Sequence, residues 1–130
     1  MPAKKGYMEK IKITIRDIVL YGELYDTETA KAIAEILPLD ASPEEWGNEF
    51  YFEIPVEMAL DKSATTKVKI GDIGYWPPGN ALAIFFGPTP ISKGFEPVPA
   101  SDVNIVGKLT GDATLLAKAK GAHTIRIEKI

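Results

Sequence analysis

Apolar and polar residues alternate along most of this chain with a period of two, the repeat of a strand with one face in a core. Ile11, Ile13 and Ile15 alternate with Lys12, Thr14 and Arg16, which predicts a half-buried strand over 11–16 with Arg16 on its polar face. After Asp17 a second strand is expected from Ile18 to Tyr25. The period then changes. Ala30, Ile33, Ala34 and Leu37 fall at i, i+3, i+4 and i+7, the apolar stripe of a helix. Asp26 or Thr27 can cap its start, Glu28 sits at the positive end of its dipole, and Pro38 stops it.

Residues 39–48 read as a loop with Pro43 and a Glu44-Glu45 pair, closing on Trp46-Gly47. Alternation returns in Phe50 to Ile54, with Phe50, Phe52 and Ile54 on one face and Tyr51 and Glu53 on the other. Thr65 to Ile70 is expected as a further strand, with Val68 and Ile70 inward and Lys67 and Lys69 outward. The run from Ile70 to Pro90, IGDIGYWPPGNALAIFFGPTP, gives two strands around a Pro-Pro-Gly-Asn turn. Ile73 and Tyr75 share one face of the first, and Leu82, Ile84 and Phe86 one face of the second. A long ordered loop rich in proline and glycine follows from Gly87 to Pro99. Val103, Ile105, Gly107 and Leu109 then alternate with Asn104, Val106 and Lys108. Thr110-Gly111-Asp112 starts a short helix containing Leu115, Leu116 and Ala119, closed by Gly121, and a last strand runs from Thr124 to about Glu128.

Strands that follow one another without helices exclude a doubly wound sheet. The expected fold is mainly β: a closed antiparallel barrel of about eight strands with two short capping α-helices, which uses every element and leaves no long edge exposed. The 130 residues make one domain, 1–130. With 45% hydrophobic and 25% charged residues the composition is that of a soluble globular protein. A net charge of -3 supplies no basic face for nucleic acid. No stretch approaches the roughly 18 apolar residues of a membrane span, and the charged N-terminus is unlike a signal core, so a cytoplasmic location without a membrane partner is expected. The absence of Cys fits that compartment. The absence of Gln, with Glu and Lys dominating the charged set, leans toward a thermophile.

Chemistry is sparse. The chain has two arginines, Arg16 and Arg126, and one histidine, His123. His123 has no Cys or second His beside it, so no metal is expected. Ser42, Ser63, Ser92 and Ser101 lie in turns without a nucleophile elbow, and Gly71-x-x-Gly74 lacks the Lys-Ser of a phosphate loop. What remains is aromatic. Trp46, Tyr51, Tyr75 and Trp76 are candidates to line a pocket at the barrel mouth, whereas Phe52 and Phe86 share faces with aliphatic residues and read as core. Pro77 holds the Trp76 backbone extended and pre-positions its ring. Glu49 is a candidate acceptor for a bound amide, or a base; its competing reading is a surface ion pair. Thr89, in Gly87-Pro88-Thr89-Pro90, is a candidate contact within what otherwise reads as a stiff loop.

Several strings, in order along nearly the whole chain, resemble the cyclophilins. Gly22-Glu23-Leu24-Tyr25-Asp26 followed by Thr29-Ala30 is similar to that family's second strand and helix start, with its proline absent. Phe85-Phe86 resembles its central aromatic strand, Val106-Gly107-Lys108-Leu109 a later strand, and Thr124-Ile125-Arg126-Ile127 the final one. Trp46-Gly47-Asn48-Glu49, Gly71-Asp72 and Phe86-Gly87-Pro88-Thr89-Pro90 look closer still to a compact prokaryotic branch of cyclophilin-like proteins. Prolyl isomerases of the family use an arginine on a strand after the first helix, supported by a phenylalanine and a glutamine. Here Phe50 to Ile54 and Thr65 to Ile70 hold no Arg, and the chain holds no Gln. The resemblance therefore implies a barrel without the usual isomerase machinery, since the missing cation would supply the main electrostatic stabilisation. The expected function is binding of a small molecule or a proline-containing, extended peptide through Trp46, Glu49, Tyr51, Tyr75, Trp76 and Thr89, without a cofactor. One alternative is a divergent prolyl isomerase or another enzyme of small substrates with Glu49 as base. The other is a homodimer whose interface is the aromatic face.

Overall fold

The alternating isoleucines at the start of the chain form a hairpin. In the computed structural model, which describes residues 8–130, β1 (Glu9–Ile15) pairs antiparallel with β2 (Ile18–Leu24), and Ile15 faces Ile18. Arg16 and Asp17 make the turn between them, and Arg16 takes φ 54°, so it leaves the strand instead of continuing its polar face. The helix α1 (Glu28–Glu35) is capped by Thr27, whose hydroxyl accepts from Ala30 N at 3.1 Å. Thr29, Ala30, Ile33 and Ala34 form its buried side.

Seven more strands complete one sheet: β3 (Leu39–Ala41), β4 (Glu44–Glu45), β5 (Glu49–Glu53), β6 (Asp72–Trp76), β7 (Ala81–Phe85), β8 (Asn104–Leu109) and β9 (Ile125–Lys129). Their order is β3-β9-β1-β2-β8-β6-β7-β5-β4. Every strand pairing is antiparallel, so the mainly β architecture matches the expectation. Closure does not. The sheet is curled but open, a half-barrel whose edges β3 and β4 are neighbours in sequence yet share no ladder. The Ser42-Pro43 link makes the edge-to-edge step, and Pro43 has no N–H to offer a ladder. The Glu45 carboxylate crosses instead to the turn before β9, accepting from Gly121 N at 2.6 Å.

The second predicted helix is a 3-10 helix, Ala113–Ala119, started by Asp112, which accepts from Thr114 N. A shorter 3-10 turn, Pro77–Gly79, joins β6 to β7 and ends in Asn80 at φ 48°. The predicted strand over 65–70 is absent. Thr65 makes one isolated bridge to Val103, and the next backbone donors go to side chains, Lys67 N to Thr65 Oγ1 and Lys69 N to Asp72 Oδ2. Val68 is buried as expected, but Ile70 is exposed. Among the described residues no helix is long and apolar enough to cross a membrane.

The two faces of the sheet carry two separate cores. The concave face and the helices bury the large one, including Ile11, Ile13, Phe50, Phe52, Ile73, Tyr75, Leu82, Ile84 and Phe86. Phe50 and Phe86 set their ring centroids 4.7 Å apart. The opposite face buries Val68, Ala83, Phe85 and Val103, with Tyr51, Trp76 and Ile105 packed against them. The expected shared face of Val103, Ile105, Gly107 and Leu109 is divided by a bulge. Ile73 pairs with Gly107 but Gly74 pairs with Ile105, so Val106 is the extra residue. Past it the alternation inverts, leaving Val103 and Ile105 on the convex face while Val106 and Leu109 enter the main core.

Candidate functional site

The β4–β5 hairpin turns in the fewest residues that a hairpin allows. Glu45 faces Phe50 and Trp46 N donates to Glu49 O at 3.0 Å, which leaves Gly47 and Asn48 at the tip. Gly47 adopts φ 60°, and a Cβ there would lie 2.8 Å from Thr89 Cα, so only glycine fits the turn against the neighbouring loop. Asn48 N donates to Pro88 O and Asn48 O accepts from Phe86 N, both at 2.9 Å. This clamp sets the hairpin tip on the segment after β7. Residues opposed in a hairpin point to the same face, so Trp46 and Glu49 emerge together with Tyr51, on the convex side of the sheet.

Trp76, at the end of β6, reaches the same face. Its backbone is extended before Pro77, as the sequence predicts, and its ring lies over Gly79, where a Cβ would come within 3.0 Å of it. Its indole N–H donates to Ser101 Oγ at 2.7 Å, which fixes the ring's direction. The floor between the strands exists because Gly74 has no side chain: a Cβ there would lie 3.0 Å from Val103 Cγ2. Val103 is held in turn by reciprocal backbone bonds with Thr65, at 3.0 and 3.1 Å.

Trp46, Glu49, Tyr51, Trp76, Pro99, Ala100 and Val103 together line a cleft of about 230 Å³. Three aromatic rings and aliphatic side chains form its wall, and Glu49 is its one ionisable carboxyl. Glu49 is 8% exposed, and its Oε1 has no hydrogen-bond partner among the described residues. Burial raises its pKa from the ordinary carboxylate range to about 7, with no neighbouring charge contributing. The expected surface ion pair is therefore not formed. This carboxyl changes charge near neutral pH and is suited to accept a proton or bind a donor.

Four of the six residues singled out from the sequence thus converge on one cleft, Trp46, Glu49, Tyr51 and Trp76. Tyr75 does not join them. It neighbours Trp76 in β6 and so faces the opposite side, fully buried, with its hydroxyl donating to Val56 O at 2.5 Å and accepting from Met58 N at 3.3 Å. Thr89 does not either. Its hydroxyl donates to Val98 O at 2.5 Å, and its N–H donates to Ser92 Oγ at 2.9 Å, which ties the loop across its own neck. Its contribution is indirect, since Pro99 and Ala100 follow that neck into the cleft wall. Pro99, Ala100 and Val103 went unrecognised in the sequence, where 87–99 reads as a loop with Thr89 as its candidate contact and Val103 as the start of a strand pattern. Neither arginine lines the cleft: Arg16 lies in the β1–β2 turn, and Arg126 pairs with Asp40 at 2.7 Å across β3 and β9.

A family profile described as cyclophilin-like matches residues 9–128. The chain belongs to the cyclophilin-like family. Among solved structures, this cyclophilin-like chain is similar to a hypothetical protein from Archaeoglobus fulgidus, with 31% identity, a TM-score of 0.78 and 95% of both chains covered. It is also similar to McbB, solved in complex with tryptophan, at 20% identity and a TM-score of 0.63. That likeness covers 91% of this chain but 44% of McbB, and it is one of fold. No curated protein matches the sequence significantly.

Proposed function

We propose that this cyclophilin-like domain binds a small molecule in the cleft on the convex face of its sheet, and that it lacks efficient prolyl isomerase activity. The observation that carries the proposal is the buried, unbonded carboxyl of Glu49 inside an aromatic wall. Ligand sites are typically apolar concavities with a few placed polar groups. A core residue in the same position would gain nothing from a carboxyl, because burying an unsatisfied polar group costs free energy. The volume of about 230 Å³ suits one ring system with a short substituent.

An extended peptide is the second reading, favoured by an adjoining groove. Leu60, Thr66, Pro77, Pro78, Ser101 and Asp102 line it, and the Trp76–Ser101 bond lies between it and the cleft. Against isomerisation stand the absence of arginine from the cleft and of glutamine from the chain.

A thermal-shift screen of small aromatic compounds and proline-containing peptides, run in parallel on Trp76→Ala, tests the proposal, because a ligand of the folded state raises the melting temperature. A stabilising compound that no longer acts on Trp76→Ala supports the cleft. A hit that acts equally on the variant, while the variant itself melts far lower, would make Trp76 a packing residue and remove the proposal. In a coupled proline-isomerisation assay the rate should stay at the uncatalysed background. A clear acceleration would restore the divergent-isomerase alternative.

A further inference from the structure

We infer that the ligand of the convex cleft is an organic amine bound as its ammonium ion, with Glu49 as counter-charge and the rings of Trp46, Tyr51 and Trp76 around the cation. The inference rests on the cleft reading above and names the chemical class that the cleft selects.

Two independent features lead to it. The first is the carboxyl. Among the described residues Glu49 Oε1 is buried without a donor, and none of their lysines or arginines, nor the histidine, lines the cleft. An ionised carboxylate there lacks both a hydrogen bond and a counter-charge, and a protonated amine supplies both through the same atoms. The second is the wall. Aromatic faces are negative and attract cations within about 6 Å of the ring centroid, more strongly when water is excluded. The indole N–H of Trp76 is already bonded to Ser101 and is not offered to an anionic ligand. A carboxylate or phosphate ligand would meet Glu49 and ring faces with no cation to offset them. A neutral apolar ligand would fill the cleft but leave Oε1 unbonded.

The test uses three isosteric probes, 2-phenylethylamine, 2-phenylethanol and phenylacetate, titrated at pH 8 and followed by the fluorescence of Trp46 and Trp76, the chain's two tryptophans. With its pKa at about 7, Glu49 is mostly ionised there. The amine should bind roughly tenfold or more tighter than the alcohol, the size of a charge-assisted hydrogen bond, with phenylacetate the weakest. In E49Q, which keeps the shape, the amine should lose roughly tenfold or more in affinity and the alcohol less, so that most of the preference for amine over alcohol disappears. In Trp46→Leu, with Glu49 intact, the preference should shrink without disappearing. If the alcohol binds as well as the amine, or the preference survives E49Q, the amine inference is overturned and the cleft reading stands. If none of the three binds, both fall.

Discussion

Glu49 concentrates the chemistry of the site in one carboxyl, and its burial has a thermodynamic consequence. In the unfolded chain it titrates near 4.5, and in the folded protein near 7. Between those values the folded state holds the proton more tightly, so unfolding releases it and stability falls as pH rises. The loss begins near pH 4.5 and is complete above about 7, amounting to about 3 kcal/mol if burial acts alone. E49Q should therefore melt well above the parent protein at pH 8, and the gap should close by pH 4.5. Equal pH dependence of the two melting curves would mean that another group is responsible. Trp76→Ala is the complementary change. The ring is partly exposed and bonded only to Ser101, so binding should weaken by an order of magnitude or more while the unliganded protein loses a modest part of its stability.

Loops and strands divide the work of holding this residue set. Thr89 closes the neck of the loop that carries Pro99 and Ala100 into the wall. Thr89→Val keeps the shape but leaves Val98 O without that donor, a change of about 1–3 kcal/mol. It should loosen the loop in hydrogen exchange and weaken binding in the proposed cleft, although Thr89 is not among the residues that line it. A stable variant with unaltered affinity would show that the wall does not depend on the neck. On the concave side, Asn104 in β8 is fully buried and ties the 55–64 segment to the sheet. Its carbonyl oxygen accepts from Asp61 N at 2.8 Å, and its amide donates to Ala59 O at 3.0 Å and Thr29 Oγ1 at 3.3 Å. Asn104→Ala strands several buried partners at once and should cost about 3 kcal/mol, with limited proteolysis appearing first in 55–64.

At the scale of the molecule, an open sheet has two edges to protect. Both are very short and acidic, with Asp40 in β3 and Glu44 and Glu45 in β4, the devices that discourage strand addition. Asp40 is further engaged by Arg126, and Glu45 by Gly121 N. Sedimentation velocity across a hundredfold concentration range should accordingly show a single monomeric species. Growth of a dimer with concentration, suppressed in Trp46→Ala, would favour an interface on the convex aromatic face over the proposed ligand site.

Most strand faces, a helix cap at Asp26 or Thr27, and Phe52 and Phe86 as core were legible in the chain because periods of 2 and 3.6 are local properties of the backbone. The family was legible separately, as a resemblance carried by short strings in order along the chain. The candidate site was legible only in part. Trp46, Glu49 and Tyr51 lie within one hairpin, and their shared face follows from its register. Their meeting with Trp76 and with Pro99, Ala100 and Val103 depends on the β5-β7-β6-β8 pairing. The Val106 bulge, which moves Val103 to the convex face, also lies beyond local periodicity, because a ladder gains an extra residue only against its partner. Hydroxyl groups were the least predictable. Tyr75 and Thr89 read as candidate ligand contacts in sequence, yet the fold brings their hydroxyls carbonyls from residues 19 and 9 positions away. Glu49 is the reverse case: the same fold buries its carboxyl and brings Oε1 no hydrogen-bond partner among the described residues. Sequence by itself determined which residues share a face along the regular strands; tertiary structure decided where a bulge inverts that face and which polar groups are satisfied, because ladders, burial and hydrogen-bond partners are set by segments distant in the chain.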